Sequence, residues 1–159
     1  MNDAPHMRCG FVAVLGAPNA GKSTLINELV GAKVSIVTHK VQTTRIRIMG
    51  IATKDESQIV FIDTPGIFEP RRRLERAMVD AAWRGASDAD RIMLVVDAKR
   101  GMDRDTARIV DGLEESKRTA ALVLNKIDLV KREDLLALAA EFNAAEIFDE
   151  TFMISALKG

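Results

Sequence analysis

"LGAPNAGKS", residues 15–23, decides how the rest of the chain is read. Gly16 is followed by Ala17, Pro18, Asn19 and Ala20, then by Gly21, Lys22, Ser23 and Thr24. An apolar run over 9–15 precedes the stretch and reads as a buried strand. A segment over 23–30, closed by Gly31, follows it and reads as a helix. Between a strand and a helix, this spacing is a phosphate-binding loop. Gly16 and Gly21 let the backbone curl so that successive N–H groups point at phosphate oxygens. The helix N-terminus adds positive potential. Lys22 supplies a point charge between the β- and γ-phosphates, and the Ser23 hydroxyl is a ligand for Mg²⁺. The competing reading is a bare tight turn before a helix. Fixed spacing with both flanks in place argues against it.

Outward from this loop the chain alternates. Residues 31–45 are polar and read as a loop. Strands are expected over 46–53 and 58–63, joined by the turn "TKDES" as an antiparallel hairpin. A helix is expected over 72–87, with Leu74, Met78, Ala81, Ala82 and Gly85 at helical spacing and Trp83 packing into the core. Then come a strand over 91–98, a helix over 103–116, a strand over 120–128, a helix over 133–144 and a last strand over 151–154. Strands alternating with helices of this length imply an α/β fold, a mostly parallel sheet covered on both faces. The hairpin adds one antiparallel edge strand.

Composition sets bounds. The 159 residues suit one domain, and they are 47% hydrophobic and 29% charged, with 23 basic against 23 acidic side chains. Zero net charge argues against broad electrostatic capture of nucleic acid. The lone Cys9 is expected to be a reduced, partly buried thiol. No apolar run reaches the roughly 18 residues a membrane span needs, and the N-terminus lacks a signal layout. The cytoplasm is the expected compartment.

Two further segments carry chemistry. In "FIDTPGIFEP" (61–70), Asp63 closes an apolar strand and so reaches the same carboxyl edge of the sheet as the phosphate loop. There it suits Mg²⁺, through a water, while Thr64, Pro65 and Gly66 line the nucleotide and Gly66 offers its N–H to the γ-phosphate. In "NKID" (125–128), also at a strand end, Asp128 decides the base. A carboxylate only accepts hydrogen bonds, and guanine N1–H and N2–H₂ both donate, whereas adenine has no donor at either position. Asn125 ties neighbouring loops, and the Lys126 stem lies along the ring face. Ser155, Ala156 and Leu157 follow the last strand, where the Ala156 N–H meets guanine O6.

Taken together, GAPNAGKST, QTTR, DTPG, NKID and SALKG resemble the translation-factor-related GTPases, and most closely the Era family, from Phe11 to Gly159. The segment "SIVTHKVQTTRIRIMGI" (35–51) is similar to the Era switch region. The resemblance implies a Ras-like fold with a six-stranded sheet and hydrolysis of GTP to GDP. It implies that Thr44, with Thr43 beside it, closes on Mg²⁺ and the γ-phosphate. It also implies a part in small ribosomal subunit assembly, with 16S rRNA bound through a C-terminal KH domain that this chain does not contain, and peripheral membrane association in the family. A related GTPase acting in tRNA modification is the alternative within this class. The chain reads as a G domain over 1–159 that stops before the final helix of a Ras-like fold. An exposed apolar strip is then expected, with lowered stability or self-association.

Ile67 raises the mechanistic question. Many such enzymes carry a water-orienting glutamine just after the glycine, and isoleucine cannot do that work. In several relatives of this class an asparagine at the place of Asn19 coordinates K⁺. The resemblance therefore offers Asn19, with backbone carbonyls of 35–42, as a potassium site that replaces an arginine finger; a purely loop-shaping Asn19 is the other reading. Glu69 and Glu75 either orient a water or form solvated surface. Arg71, Arg72, Arg73 and Arg76 form a partner contact or a solvated helix start. His39 senses the nucleotide or is merely exposed. Two classes of function remain open: a slow enzyme used as a timer, and a nucleotide-dependent binding module that barely hydrolyses alone. ATP use is opposed by Asp128.

Overall fold

In a computed structural model, residues 8–31 and 48–159 are described. Apolar runs set the strands: β1 (Arg8–Leu15), β2 (Ile48–Lys54), β3 (Ser57–Asp63), β4 (Arg91–Asp97), β5 (Ala120–Asn125) and β6 (Phe148–Met153). The helices are α1 (Lys22–Val30), α2 (Arg73–Ser87), α3 (Arg104–Glu115) and α4 (Arg132–Asn143), with a short 3₁₀ turn at Ile127–Leu129. The sheet order is β2-β3-β1-β4-β5-β6. Only β2 is antiparallel, paired with β3 as the expected edge hairpin. Order reverses at β1, so the phosphate loop after β1 sits at the switch point of the sheet, where α/β folds bind ligands.

The two faces of the sheet are packed unequally. One face buries Ala13, Leu15, Ile62, Leu94, Ile109, Leu122 and Phe142 among α2, α3 and α4. The other buries Val14, Leu25, Ile26, Phe61, Val95 and Val123 under α1. On this second side Ile59 of β3 is 41% and Phe152 of β6 46% exposed, but β1, β4 and β5 lie between them, and Val95 and Val123 on that face are buried. No helix follows β6 in the described residues. None of the described helices is long and apolar enough to cross a membrane.

Two expectations need correction. Cys9 is exposed. β4 joins β1 only from Val12 onward, so the start of β1 is paired on one side alone and stands clear of the core. The helix expected over 72–87 is α2, in whose first turn Leu74 is 57% exposed and whose later turns carry the buried Met78, Ala82 and Gly85. β6 begins at Phe148 rather than at 151. Its acidic sequence hides it, but the Phe148 ring meets Phe142 of α4 edge-on at 6.0 Å, an arrangement worth about 1 kcal/mol beyond its buried area. Arg91 pairs with Asp149 at 2.8 Å and Glu150 at 3.1 Å, which accommodates the charges.

Candidate nucleotide-binding site

The carboxyl ends of β1, β3, β4 and β5, with the loop after β6, gather the candidate residues at one edge. Lys22 opens α1 and is buried. Its ammonium donates to the carbonyls of Gly16 (3.1 Å) and Ala17 (2.9 Å), so it lies inside the curl of its own loop. Burial pulls its pKa down from 10.5 to about 8, against the opposing pull of the Asp63 charge. Ser23 is buried beside it, and its Oγ donates to Asp63 Oδ2 at 2.9 Å. A sealed carboxylate next to a hydroxyl is an oxygen donor set that fits a hard dication such as Mg²⁺.

The segment after β3 is fixed against this loop. Thr64 is buried and donates to the Val14 carbonyl at 2.6 Å, a structural bond. Ile67 N–H donates to the Gly16 carbonyl at 3.0 Å. Gly66 needs its missing side chain: a Cβ there would lie 2.9 Å from Pro18 N and Cα. Ile67 itself is 0% exposed, packed into the core with Ala82 and Ala86. It therefore offers nothing to an attacking water. Glu75 Oε2 accepts the N–H groups of Arg71 (2.7 Å) and Arg72 (2.9 Å) and caps α2. Those two backbone donors hold its carboxyl below the usual glutamate range. Glu69 is exposed and 3.8 Å from Arg108. Arg71, Arg72, Arg73 and Arg76 are exposed at the start of α2. Trp83 is half-buried and packs against Gly112 of α3.

At the other end of the edge, Asn125 is 1% exposed and joins three segments. Its Nδ2 donates to the Ala20 carbonyl at 3.0 Å, and its Oδ1 accepts from Lys126 N (2.8 Å) and Ala156 N (3.0 Å). Gly21 makes room for this: its φ is 99°, and a Cβ there would collide with Asn125 Nδ2. The Ala156 N–H, expected at the base, is bonded to Asn125 in this structure. Asp128 accepts from Ser155 Oγ at 2.8 Å and lies 3.4 Å from Lys158 Nζ. The Ser155 hydroxyl, ahead of Lys158, holds its carboxyl below the usual aspartate range. Leu157 is largely exposed. Asn19 is exposed at the crest of the phosphate loop with φ 62°. Thr24 sits half-buried in the first turn of α1. Thr43, Thr44, His39 and the 35–42 loop lie outside the described residues.

A sequence profile of the family described as 50S ribosome-binding GTPase matches residues 11–126. That stretch runs from β1 through the phosphate loop and Asp63 to Lys126.

The chain belongs to this GTPase family.

Among its relatives, the GTPase Era of Sinorhizobium medicae is 64% identical over 152 residues, covering 96% of this chain and 49% of that protein. The GTPase Era of Agrobacterium fabrum is 62% identical over 158 residues, covering 99% of this chain and 50% of that protein. The chain thus spans about half the length of these relatives. It is also similar to Era solved with MgGDPNP and nucleotides 1506–1542 of 16S ribosomal RNA (TM-score 0.90, 39% identity, 97% of this chain and 53% of that one). A variant of Aquifex aeolicus Era bound to GDP and AlF₄⁻ gives a TM-score of 0.88 at 39% identity, covering 96% of this chain and 53% of that one. The fold is therefore the Ras-like P-loop GTPase fold with an Era-type G domain.

Sequence reasoning did not single out two side chains at this GTPase-family site. Asp97, ending β4, pairs with Lys126 at 2.6 Å. Arg100 Nη1 donates to the Pro18 carbonyl at 3.3 Å. Both act on groups distant in sequence. The only available signal is that "VVDA" ends a buried strand at the edge where the other motifs gather.

Proposed function

We propose that this chain, 1–159, is a single GTP-binding domain of an Era-like GTPase, which binds GTP and GDP with Mg²⁺ and hydrolyses GTP to GDP and phosphate. The observation that carries this reading is the Asn125 junction, which fastens the phosphate loop at Ala20 to the two segments suited to a guanine base. Asp128, kept ionised, accepts from guanine N1–H and N2–H₂, and the neighbouring Ala156 N–H is available to O6 by leaving Asn125. Lys22 moves its ammonium from the Gly16 and Ala17 carbonyls onto the phosphates. Gly66 offers a backbone N–H there, with no side chain in the way. Ser23, Asp63 and Thr44 are the residues suited to hold Mg²⁺, which when bound neutralises phosphate charge as the leaving group departs.

The buried Ile67 leaves water orientation to something else. Asn19, at the crest of the loop, is the residue we assign to K⁺. In the cell the reading is a cytoplasmic switch in small ribosomal subunit assembly, with 16S rRNA contacted by parts of the protein other than this domain. Peripheral membrane association belongs to the same whole-protein reading. The same buried Ile67 favours a second reading, a nucleotide-dependent binding module with negligible hydrolysis in isolation. Single-turnover GTP hydrolysis in K⁺ against Na⁺ at equal ionic strength separates the two. Strong acceleration by K⁺ supports the enzyme and the Asn19 assignment. Tight GTP binding with no turnover in either salt supports the binding module.

A further inference from the structure

Asp97 ends β4 at the ligand edge of the sheet, and both of its carboxylate oxygens are engaged. Oδ1 accepts from Lys99 N–H at 3.0 Å, and Oδ2 accepts from Lys126 Nζ at 2.6 Å. The Asp97 side chain is only 12% exposed, so this pair is partly shielded from solvent. The same ammonium donates to the Asn19 carbonyl at 2.7 Å. Lys126 starts from a left-handed backbone, φ 64°, an uncommon conformation for a side-chain-bearing residue. From there its stem reaches across the phosphate loop toward β4. Three segments far apart in the chain, at 19, 97 and 126, thus meet on one ammonium.

We propose that Asp97 is a positioning residue for guanine nucleotide binding, clamping Lys126 over the phosphate loop so that the lysine stem forms a fixed face for the base. The inference rests on the guanine-nucleotide reading given above. An unclamped lysine has four rotatable bonds to order whenever ligand binds, and that ordering weakens affinity. A clamped lysine is ordered beforehand. The clamp also holds the Asn19 carbonyl, so the base end and the phosphate end of the site share one charge.

The test is the release rate of a fluorescent GDP analogue from wild type, Asp97→Asn, Lys126→Met and the double variant, with Mg²⁺ present. Asparagine retains an acceptor for Lys99 N–H and so leaves the turn after β4 intact. Asp97→Asn should release the analogue roughly tenfold faster at an unchanged melting temperature. In the Lys126→Met background the same change should add nothing, because Asp97 acts through the ammonium. Wild-type release from Asp97→Asn, or an undiminished effect in that background, overturns the inference. Should Asp97→Asn fail to fold, wild-type release from Lys126→Met overturns it equally. A wild-type protein that does not bind the analogue overturns the guanine reading and the clamp together. Binding by wild type with no change in the variants overturns the clamp alone.

Discussion

The two ends of the candidate site are built differently. At the base end, Asn125, Lys126, Asp128 and Ser155 are joined to one another or to neighbouring loops by side-chain hydrogen bonds. At the phosphate end, the segment after Asp63 presents backbone: Gly66 lies against Pro18, Ile67 bonds the Gly16 carbonyl, and the Ile67 side chain points into the core. The base end is thus a preassembled side-chain network, whereas the Ile67 side chain, next after Gly66, offers no polar group to the phosphate end. The difference teaches that selectivity and rate are separable here. On the reading proposed above, such a protein holds its nucleotide firmly while turnover waits on cations or a partner.

Breaking the base end should have the largest effect. Asn125→Ala leaves the Ala20 carbonyl and the Lys126 and Ala156 amides without this partner, which should cost about 3 kcal/mol of stability. Urea unfolding measures that loss. A fluorescent nucleotide titration should show at least about a hundredfold weaker binding. Unchanged affinity would mean the network is not what prepares the site.

Asp128→Asn comes next. Guanine should bind roughly a hundredfold more weakly and xanthine should gain, read by competition between GDP and XDP. An unaltered preference would remove Asp128 from base recognition.

Ile67→Gln sharpens the contrast from the other end. A buried amide in place of a fully buried alkyl group should destabilise the fold by about 2 kcal/mol. Single-turnover hydrolysis should gain nothing, because the side chain at this position is buried in the core. Faster hydrolysis by this variant would show that the phosphate end had lacked only an amide.

The smallest effect is with pH. Lys22 titrates near 8 in the folded chain and at 10.5 when exposed. Between these values the unfolded chain holds more protons, so stability of the nucleotide-free protein should rise with pH, by at most about 1.4 kcal/mol per unit. Phosphates favour the ammonium, so nucleotide affinity should instead fall above about pH 8, by up to about tenfold per unit. Calorimetry at pH 8.5 in two buffers of different ionisation enthalpy should detect proton uptake on binding. Equal heats would place the Lys22 pKa elsewhere.

Much of the fold is legible in the sequence because its central strands are short apolar runs, and Gly31 ends α1 with φ 73° as a helix stop should. β6 is poorly legible because Asp149 and Glu150 interrupt it; its place depends on Phe142 of α4 and on Arg91, which is distant in the chain. The candidate site is legible where a motif fixes spacing, as for Lys22, Ser23, Asp63, Asn125 and Asp128. Asp97 and Arg100 are not, because what gives them meaning is a lysine and a carbonyl brought close only by the sheet order. Glu75 is legible as a residue but not as a cap, since the capping depends on where α2 begins.

The exposed Cys9 has a practical consequence. It is the only cysteine, and it stands near the start of β1, whereas the phosphate loop follows the strand's end. Leu15 lies six residues further along the strand, about 20 Å at the usual rise. Trp83 is the only tryptophan and sits where α2 meets α3. An acceptor dye on Cys9 would therefore form one defined energy-transfer pair with Trp83, able to report whether α2 moves when nucleotide is added without altering any residue of the site.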